Sequence, residues 1–110
     1  MKTKKLPADF ELLKDMYEDD YFPDFLVDKV KDAIKEAVSF IEGGNHTIEE
    51  IQGAFDRMTL KINGLGDEFG ENGSEIETGA RESIGETVDR ILTYFEIDID
   101  IEEAIREREW

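Results

Sequence analysis

The sequence predicts an all-α protein, a four- to five-helix bundle built on a long antiparallel helical hairpin. Three observations predict this fold. Apolar residues recur at helical spacing along most of the chain, prolines and glycines divide it into segments of helix length, and 38% of the residues are charged, which suits thin helices with broad solvated faces. The 110 residues can bury a core and no linker divides them, so we expect residues 1–110 to form one domain.

The first two predicted helices each begin at a proline, a residue that fits the first helical turn. The first helix spans about residues 7–18. Residues 1–6 before it form a basic tail, for which we consider disorder. The second begins at Pro23 and ends at Gly43-Gly44, because glycine adopts a left-handed cap conformation without steric cost. Its apolar positions form one helical stripe: Leu26, Val30, Ala33, Ile34, Ala37, Val38 and Ile41.

The third predicted helix has the strongest periodicity in the chain. Thr47 and Glu50 have the spacing of a capping box that opens it. Its apolar residues alternate at gaps of three and four, as in a heptad seam: Ile48, Ile51, Phe55, Met58, Ile62, Leu65 and Phe69. We expect one helix over residues 48–72. The glycines at positions 64 and 66 indicate a bend or the close approach of another helix.

A stop and a restart follow within a few residues. Asn72 or Gly73 closes the third helix, and Ser74 with Glu77 forms a second capping box. Because the link is so short, we expect the third and fourth helices to be antiparallel neighbours. The fourth helix runs to about Phe95, on a stripe that drifts around the helix, so the two helices should cross.

The C-terminal part of the chain alternates strictly between isoleucine and aspartate over residues 97–101. This pattern is typical of a strand, but a lone strand has no hydrogen-bonding partner in a helical protein. We therefore expect an extended connector, with pairing across a dimer as the alternative. Asp100 with Glu103 then caps a short last helix before Trp110.

The charge of the chain is strongly negative and unevenly distributed. The formal net charge is −16, with −2 on residues 1–35 and −14 on residues 36–110. Long-range repulsion therefore disfavours direct binding to nucleic acid or to an anionic membrane. A basic protein partner is permitted, although solubility alone is a sufficient reason for the acidity.

The composition also bears on the compartment. The sequence contains no cysteine, which excludes disulfides and thiolate metal sites. It has neither an apolar run of membrane-spanning length nor the apolar segment of a signal peptide. We expect a cytoplasmic protein.

One cluster of residues combines exposed charge with large aromatic side chains. Glu18, Asp19 and Asp20 stand directly before Tyr21 and Phe22. The group is a candidate interaction surface for a basic partner that also accepts aromatic contacts. In the alternative interpretation, the two aromatic side chains fold inward over the end of the bundle while the acids stay in water.

Trp110 is a further candidate for this interaction surface because of its position at the C-terminus. It either anchors a contact to another chain or packs back on the bundle, and the residues favour neither.

Catalytic and metal-binding chemistry has little support in the residues. The single histidine, His46, lies in a loop before a helix cap, and no motif supplies a nucleophile for it. Glu68, Glu71, Glu75 and Glu77 could surround a hard cation, but helix ends and caps explain the same residues. We predict no catalytic residue, no metal ligand and no cofactor.

Two stretches of sequence, with a third short one, carry a resemblance to a known family. They are LKDMYEDDYFP at residues 13–23, ENGSEIET at residues 71–78 and REW at residues 108–110. From about residue 10 to its end, the chain resembles a family of small bacterial cytoplasmic proteins of unknown function. The resemblance implies a bacterial source and brings no activity, substrate or catalytic residue.

The leading functional hypothesis is a non-enzymatic, acidic protein-interaction or regulatory module in the bacterial cytoplasm. A more specific form of it is an acidic inhibitor of a basic partner. The alternative is an enzyme or a small-ligand- or metal-binding protein with a carboxylate-lined pocket. Self-association through the heptad seam or the Trp110 end is a third hypothesis.

Overall fold

The structure is a computed structural model that describes residues 5–110 of the chain. Within this range it contains five helices and no strand: α1 (Lys14–Glu18), α2 (Asp24–Glu42), α3 (Ile48–Glu71), α4 (Thr78–Tyr94) and α5 (Ile101–Ala104). The predicted all-α fold is confirmed. Of the predicted basic tail, residues 1–4 lie outside the described part of the chain.

The long antiparallel helical pair is formed by α2 and α3, which pack more extensively than any other two helices. Two ion pairs show the direction of packing. Lys29 near the start of α2 binds Glu68 near the end of α3, and Glu36 farther along α2 binds Lys61 farther back in α3. The predicted stripe on α2 is buried along its whole length.

The arrangement of α4 differs from the one we expected. We predicted a hairpin of the third and fourth helices, but α4 makes its main helix contacts with α1 and α5. The capping box that would have begun α4 at Ser74 is also wrong. The helix begins at Thr78, and Glu77 is its N-cap without a side-chain bond.

Ser74 is used to close α3 instead of opening α4. Its amide N–H donates to the carbonyl of Phe69 at 2.9 Å, and Gly73, at φ 73°, donates to the carbonyl of Gly70 at 3.2 Å. This pair of bonds is a Schellman ending of a helix. Residues 74–77 therefore form a non-helical link between α3 and α4.

The first helix is shorter than predicted. It begins at Lys14 instead of Pro7, because Leu13 has left-handed backbone angles, φ 59° and ψ 35°, and interrupts any helix that enters from the N-terminal side. The Leu13 side chain is buried, and its N–H donates to Thr87 Oγ1 of α4 at 3.2 Å. Burial and this hydrogen bond offset the cost of an unfavourable backbone conformation.

The end of α2 also differs in detail from the expectation. Gly43 is still right-handed, at φ −71°, and the chain leaves the helical path at Gly44, at φ 151°. The left-handed cap that we predicted for the glycine pair is therefore absent at Gly43. Glycine is still favoured at position 44, because side chains rarely tolerate that φ value.

Helix α3 is continuous from Ile48 to Glu71, so the glycines at positions 64 and 66 do not break it. The predicted capping box is confirmed. The Glu50 N–H donates to Thr47 Oγ1 at 3.1 Å, and the Thr47 N–H donates to Glu50 Oε1 at 2.8 Å. That bond from the Thr47 backbone lowers the pKa of the Glu50 carboxyl.

Most of the heptad seam on α3 faces the core. The buried seam residues are Ile51, Phe55, Met58, Ile62 and Phe69. The first seam residue, Ile48, is 48% exposed, so the seam begins outside the core. Residues 97–100 are neither helical nor paired as a strand, and Asp100, whose backbone is extended, caps α5 by accepting the Glu102 N–H at 3.0 Å.

We expect Gly64→Ala to stabilise the protein by about 0.5–1 kcal/mol. A Cβ at position 64 would meet no atom within 4 Å, and alanine loses less backbone entropy than glycine when a helix forms. Thermal and urea unfolding measure the change. Gly73→Ala is the matched control and should destabilise, because φ at position 73 is 73°. If both substitutions destabilise equally, α3 does not continue through position 64.

Candidate interaction surface

The predicted surface at residues 18–22 is held by Phe22. This side chain is 5% exposed and packs edge-to-face against Phe69 of α3, with ring centroids 6.5 Å apart. A Cβ at Gly79, on the first turn of α4, would lie 3.9 Å from Phe22 Cζ. Phe22 therefore joins the segment between α1 and α2 to the end of α3 and the beginning of α4. As a core residue, it is not part of the exposed surface.

Tyr21, in contrast, remains 41% exposed. Its ring packs edge-to-face on Phe22, with centroids 5.1 Å apart. Partial desolvation and the negative charges of Glu77 and Glu75 raise the pKa of the Tyr21 hydroxyl. These two glutamates of the α3–α4 link therefore lie close to Tyr21, although 54 and 56 residues separate them from it along the chain.

The three acids before Tyr21 are all exposed, but they do not have the same role. Asp19 Oδ1 accepts the Tyr21 N–H at 2.9 Å, so Asp19 helps to fix the turn. Glu18 and Asp20 form no ion pair among residues 5–110. Their charges are therefore available to a partner, together with that of Glu75, whereas the Glu77 carboxylate interacts with the Tyr21 hydroxyl.

Sequence reasoning missed Phe25, which is 50% exposed on the first turn of α2. The signal was present, because position 25 lies outside the apolar stripe that starts at Leu26. Phe25 follows Tyr21 by only four residues, so both residues lie at the same end of the bundle. We call the exposed group Tyr21, Phe25, Glu18, Asp20, Glu75 and Glu77 the Tyr21 patch.

Trp110 packs on the core cluster and is partly buried. The Arg108 guanidinium lies 5.9 Å from its ring centroid, and Arg108 Nη1 donates to the Trp110 carbonyl at 3.2 Å. The adjacent backbone is fixed to α3, because Glu109 N–H donates to Asn63 Oδ1 at 3.0 Å. Among the described residues, no hydrogen bond or ring contact joins Trp110 to residues 18–22. Trp110 therefore packs back on the bundle.

Comparison with known proteins shows the family of the chain. The model of a family of unknown function, DUF5713, matches residues 6–110. The chain belongs to DUF5713. The predicted resemblance to a family without an assigned function is confirmed. Neither the curated proteins nor the solved structures contain a match to the chain.

The histidine of this DUF5713 member has a local structural role. Its ring stacks on Phe40, with centroids 3.9 Å apart and 16° between the planes. His46 Nε2 donates to the Phe40 carbonyl at 2.8 Å, and Nδ1 lies 3.8 Å from Glu50 Oε1. These contacts hold the loop between α2 and α3.

The acidic residues near the α3–α4 link of this DUF5713 chain are not arranged as a metal site. Residues 5–110 contain no group of three or more histidine or carboxylate side chains placed to hold a metal ion. Glu68, one of the four glutamates that could surround a cation, binds Lys29 instead.

In the described range, no helix has both the length and the apolar character needed to cross a membrane.

Proposed function

We propose that this DUF5713 protein is a non-enzymatic interaction module that binds a basic protein partner through the Tyr21 patch. The observation that carries the proposal is the pair of exposed aromatic side chains, Tyr21 and Phe25, on a rigid base beside carboxylates that form no ion pair among residues 5–110. Phe22 supplies that base, because its contacts with Phe69 and Gly79 fix the backbone from which Tyr21 projects.

The chemistry of the patch suits arginine and lysine side chains. A guanidinium group can stack on an exposed aromatic ring while its N–H groups bind nearby carboxylates. Aromatic residues are also enriched at the centres of protein interfaces, where few residues supply most of the affinity. The net charge of −16 attracts a basic partner at long range and opposes binding to nucleic acid.

We expect the module to act in the bacterial cytoplasm. The cysteine-free sequence is compatible with a reducing compartment. Self-association through this patch is less favoured, because two copies would bring like charges together.

The test compares three forms of the full chain in parallel: the parent, Tyr21→Ala/Phe25→Ala, and Leu60→Ala. Leu60 is the matched control, since it is 53% exposed on α3 and belongs to no patch. Proteins recovered from native cytoplasm at physiological salt are identified, and each candidate is then measured by titration calorimetry. We expect a basic partner whose affinity falls at least about tenfold with the patch variant and is unchanged with the control.

Two outcomes would contradict the proposal. In the first, every recovered protein binds the patch variant as tightly as it binds the parent. In the second, no protein is recovered reproducibly at physiological salt. Glu18→Gln/Asp20→Asn separates the charge contribution, which should mainly lower the association rate and its salt dependence.

A further inference from the structure

A cavity lies between α2 and the segment that precedes α1, residues 6–12, which we call the N-terminal segment. Its volume is about 510 Å³, in the usual range of ligand pockets, roughly 300–1,000 Å³. Three apolar residues of the segment and three residues of α2 decide its chemistry: Leu6, Phe10, Leu12, Lys31, Lys35 and Val38. None of the residues that line the cavity belongs to the Tyr21 patch.

The N-terminal segment is a fixed wall of the cavity because contacts hold it at both ends. At its beginning, the Leu6 N–H donates to Glu42 Oε2 of α2 at 2.7 Å. Near its end, the Arg90 guanidinium of α4 lies 4.7 Å from the Phe10 ring centroid. The next residue, Leu13, is bound to α4 by the hydrogen bond to Thr87. The fold therefore sets the shape of the cavity.

The apolar part of the lining is surface that the core covers incompletely. Leu6, Phe10 and Leu12 pack against the core cluster but are only partly buried. The Val38 side chain, 5% exposed, continues this surface on α2. An apolar ligand body would remove the remaining surface from water, which is favourable in proportion to the area covered.

The charged part of the lining is mainly positive. Lys31 and Lys35 are one helical turn apart on α2, and neither forms an ion pair within the described residues, 5–110. The Lys31 ammonium instead lies 5.8 Å from the centroid of the Tyr17 ring. Side chains four positions apart on a helix are neighbours, so one carboxylate of a ligand can contact both lysines.

Carboxylates of the chain itself do not neutralise these two lysines, although 29 acidic residues stand against 13 basic ones. Asp28, one turn before Lys31, accepts a hydrogen bond from the Tyr17 hydroxyl. Glu42, the one carboxylate in the lining, accepts the Leu6 N–H. Within the cavity the nearby lysines outweigh the net charge of −16, because salt screens exposed charges beyond about 8 Å.

We infer that this cavity binds a small carboxylate with an apolar body. The carboxylate lies between the ammonium groups of Lys31 and Lys35, and the body contacts the apolar side chains of the N-terminal segment. The inference goes beyond the proposed function and does not depend on the Tyr21 patch, because it assigns a ligand class to a separate surface.

The experiment is an NMR titration of the full chain with octanoate and with 3-phenylpropionate at pH 7 and physiological salt. The corresponding alcohols, 1-octanol and 3-phenylpropanol, are the neutral analogues, and 3-phenylpropylammonium is the cationic one. The methyl signals of Leu12 and Val38 report binding at this cavity. We expect saturable shifts with a carboxylate, binding at least about tenfold weaker with its alcohol, and none with the ammonium ion.

Charge variants separate the site from a general effect of net charge. Lys31→Gln/Lys35→Gln should weaken carboxylate binding about tenfold, whereas Lys31→Arg/Lys35→Arg should retain it. Arg57→Gln/Arg81→Gln makes the same charge change at exposed positions of α3 and α4 and should leave binding within about twofold.

Three results would overturn the inference. The first is the absence of saturable shifts at Leu12 and Val38 with both carboxylates. The second is an equal affinity for a carboxylate and its alcohol. The third is an equal loss of binding in the lysine-to-glutamine variant and in the arginine-to-glutamine control.

Discussion

Phe55→Ala is expected to destabilise the protein by about 3–5 kcal/mol. Phe55 is 0% exposed and lies in the buried seam of α3. Alanine removes the contacts of the ring and leaves a cavity that the packed helices fill only in part. Small domains have total stabilities of about 5–15 kcal/mol, so this single change removes a large share. Urea unfolding followed by far-ultraviolet circular dichroism measures it.

Leu60→Ala is the control for this prediction. Leu60 lies on the same helix and is 53% exposed, so its truncation should change stability by no more than about 0.5 kcal/mol. Equal losses at positions 55 and 60 would mean that α3 presents a different face to the core. If Phe55→Ala does not fold, Phe55→Leu keeps most of the volume and should still cost about 1 kcal/mol.

The second large effect concerns the pair of Asp56 and Arg106, which ties the C-terminal segment to α3. We expect the loss of unfolding free energy in Arg106→Gln at pH 7 to lie between the contribution of an exposed ion pair and that of a buried one. This value lies below that of a buried pair, because the Arg106 side chain is 46% exposed while that of Asp56 is 20% exposed. Arg106 Nη2 donates to Asp56 Oδ2 at 2.8 Å and Nε donates to Asp56 Oδ1 at 3.2 Å, and this bidentate geometry places it above that of an ordinary surface pair.

The contribution of this pair should depend on pH. Partial burial by itself raises the pKa of the Asp56 carboxyl, but hydrogen bonds from Arg106 and Gln52 outweigh it, and the pKa falls below its ordinary value. The unfolded chain therefore binds this proton more readily than the folded one. The stabilisation is complete above the unfolded pKa of about 4 and is lost as pH falls through the lower folded pKa.

The measurement is the difference in unfolding free energy between the parent and Arg106→Gln from pH 7 to pH 3. A difference is needed because acid also relieves the mutual repulsion of a chain with net charge −16. Arg81→Gln makes the same charge change on the exposed face of α4 and is the control. A parent–variant difference that stays constant down to pH 3, or that the control reproduces, would contradict the assigned role of the pair.

The sequence predicted the elements whose signals are local. The stripe on α2 and the Thr47–Glu50 box each depend on residues within a few turns, and the structure confirms them. The start of α1 could not be predicted in this way, since Leu13 adopts a left-handed backbone whose support comes from Thr87, 74 residues away. Ser74 has a valid capping pattern for the start of α4, but its backbone N–H instead donates to Phe69 and closes α3.

The interaction surface was predictable only in part. Tyr21 and Phe22 are adjacent in a turn, where no periodicity distinguishes an exposed side chain from a buried one. Their separation depends on Phe69 and Gly79, which are distant along the chain. The hydrogen bond from Gln52 Nε2 to the Glu103 carbonyl likewise joins positions 51 residues apart, so no local pattern predicts it.

The position of Ala104 and Ile105 has a consequence for synthesis. Both side chains are buried in the same core as the apolar residues of α2, α3 and α4. A chain growing on the ribosome therefore exposes apolar core residues of α2, α3 and α4 to water until Ala104 and Ile105 leave the exit tunnel. During that interval, the exposed surface is open to chaperones and to neighbouring nascent chains, and the finished core forms only after translation has passed α5.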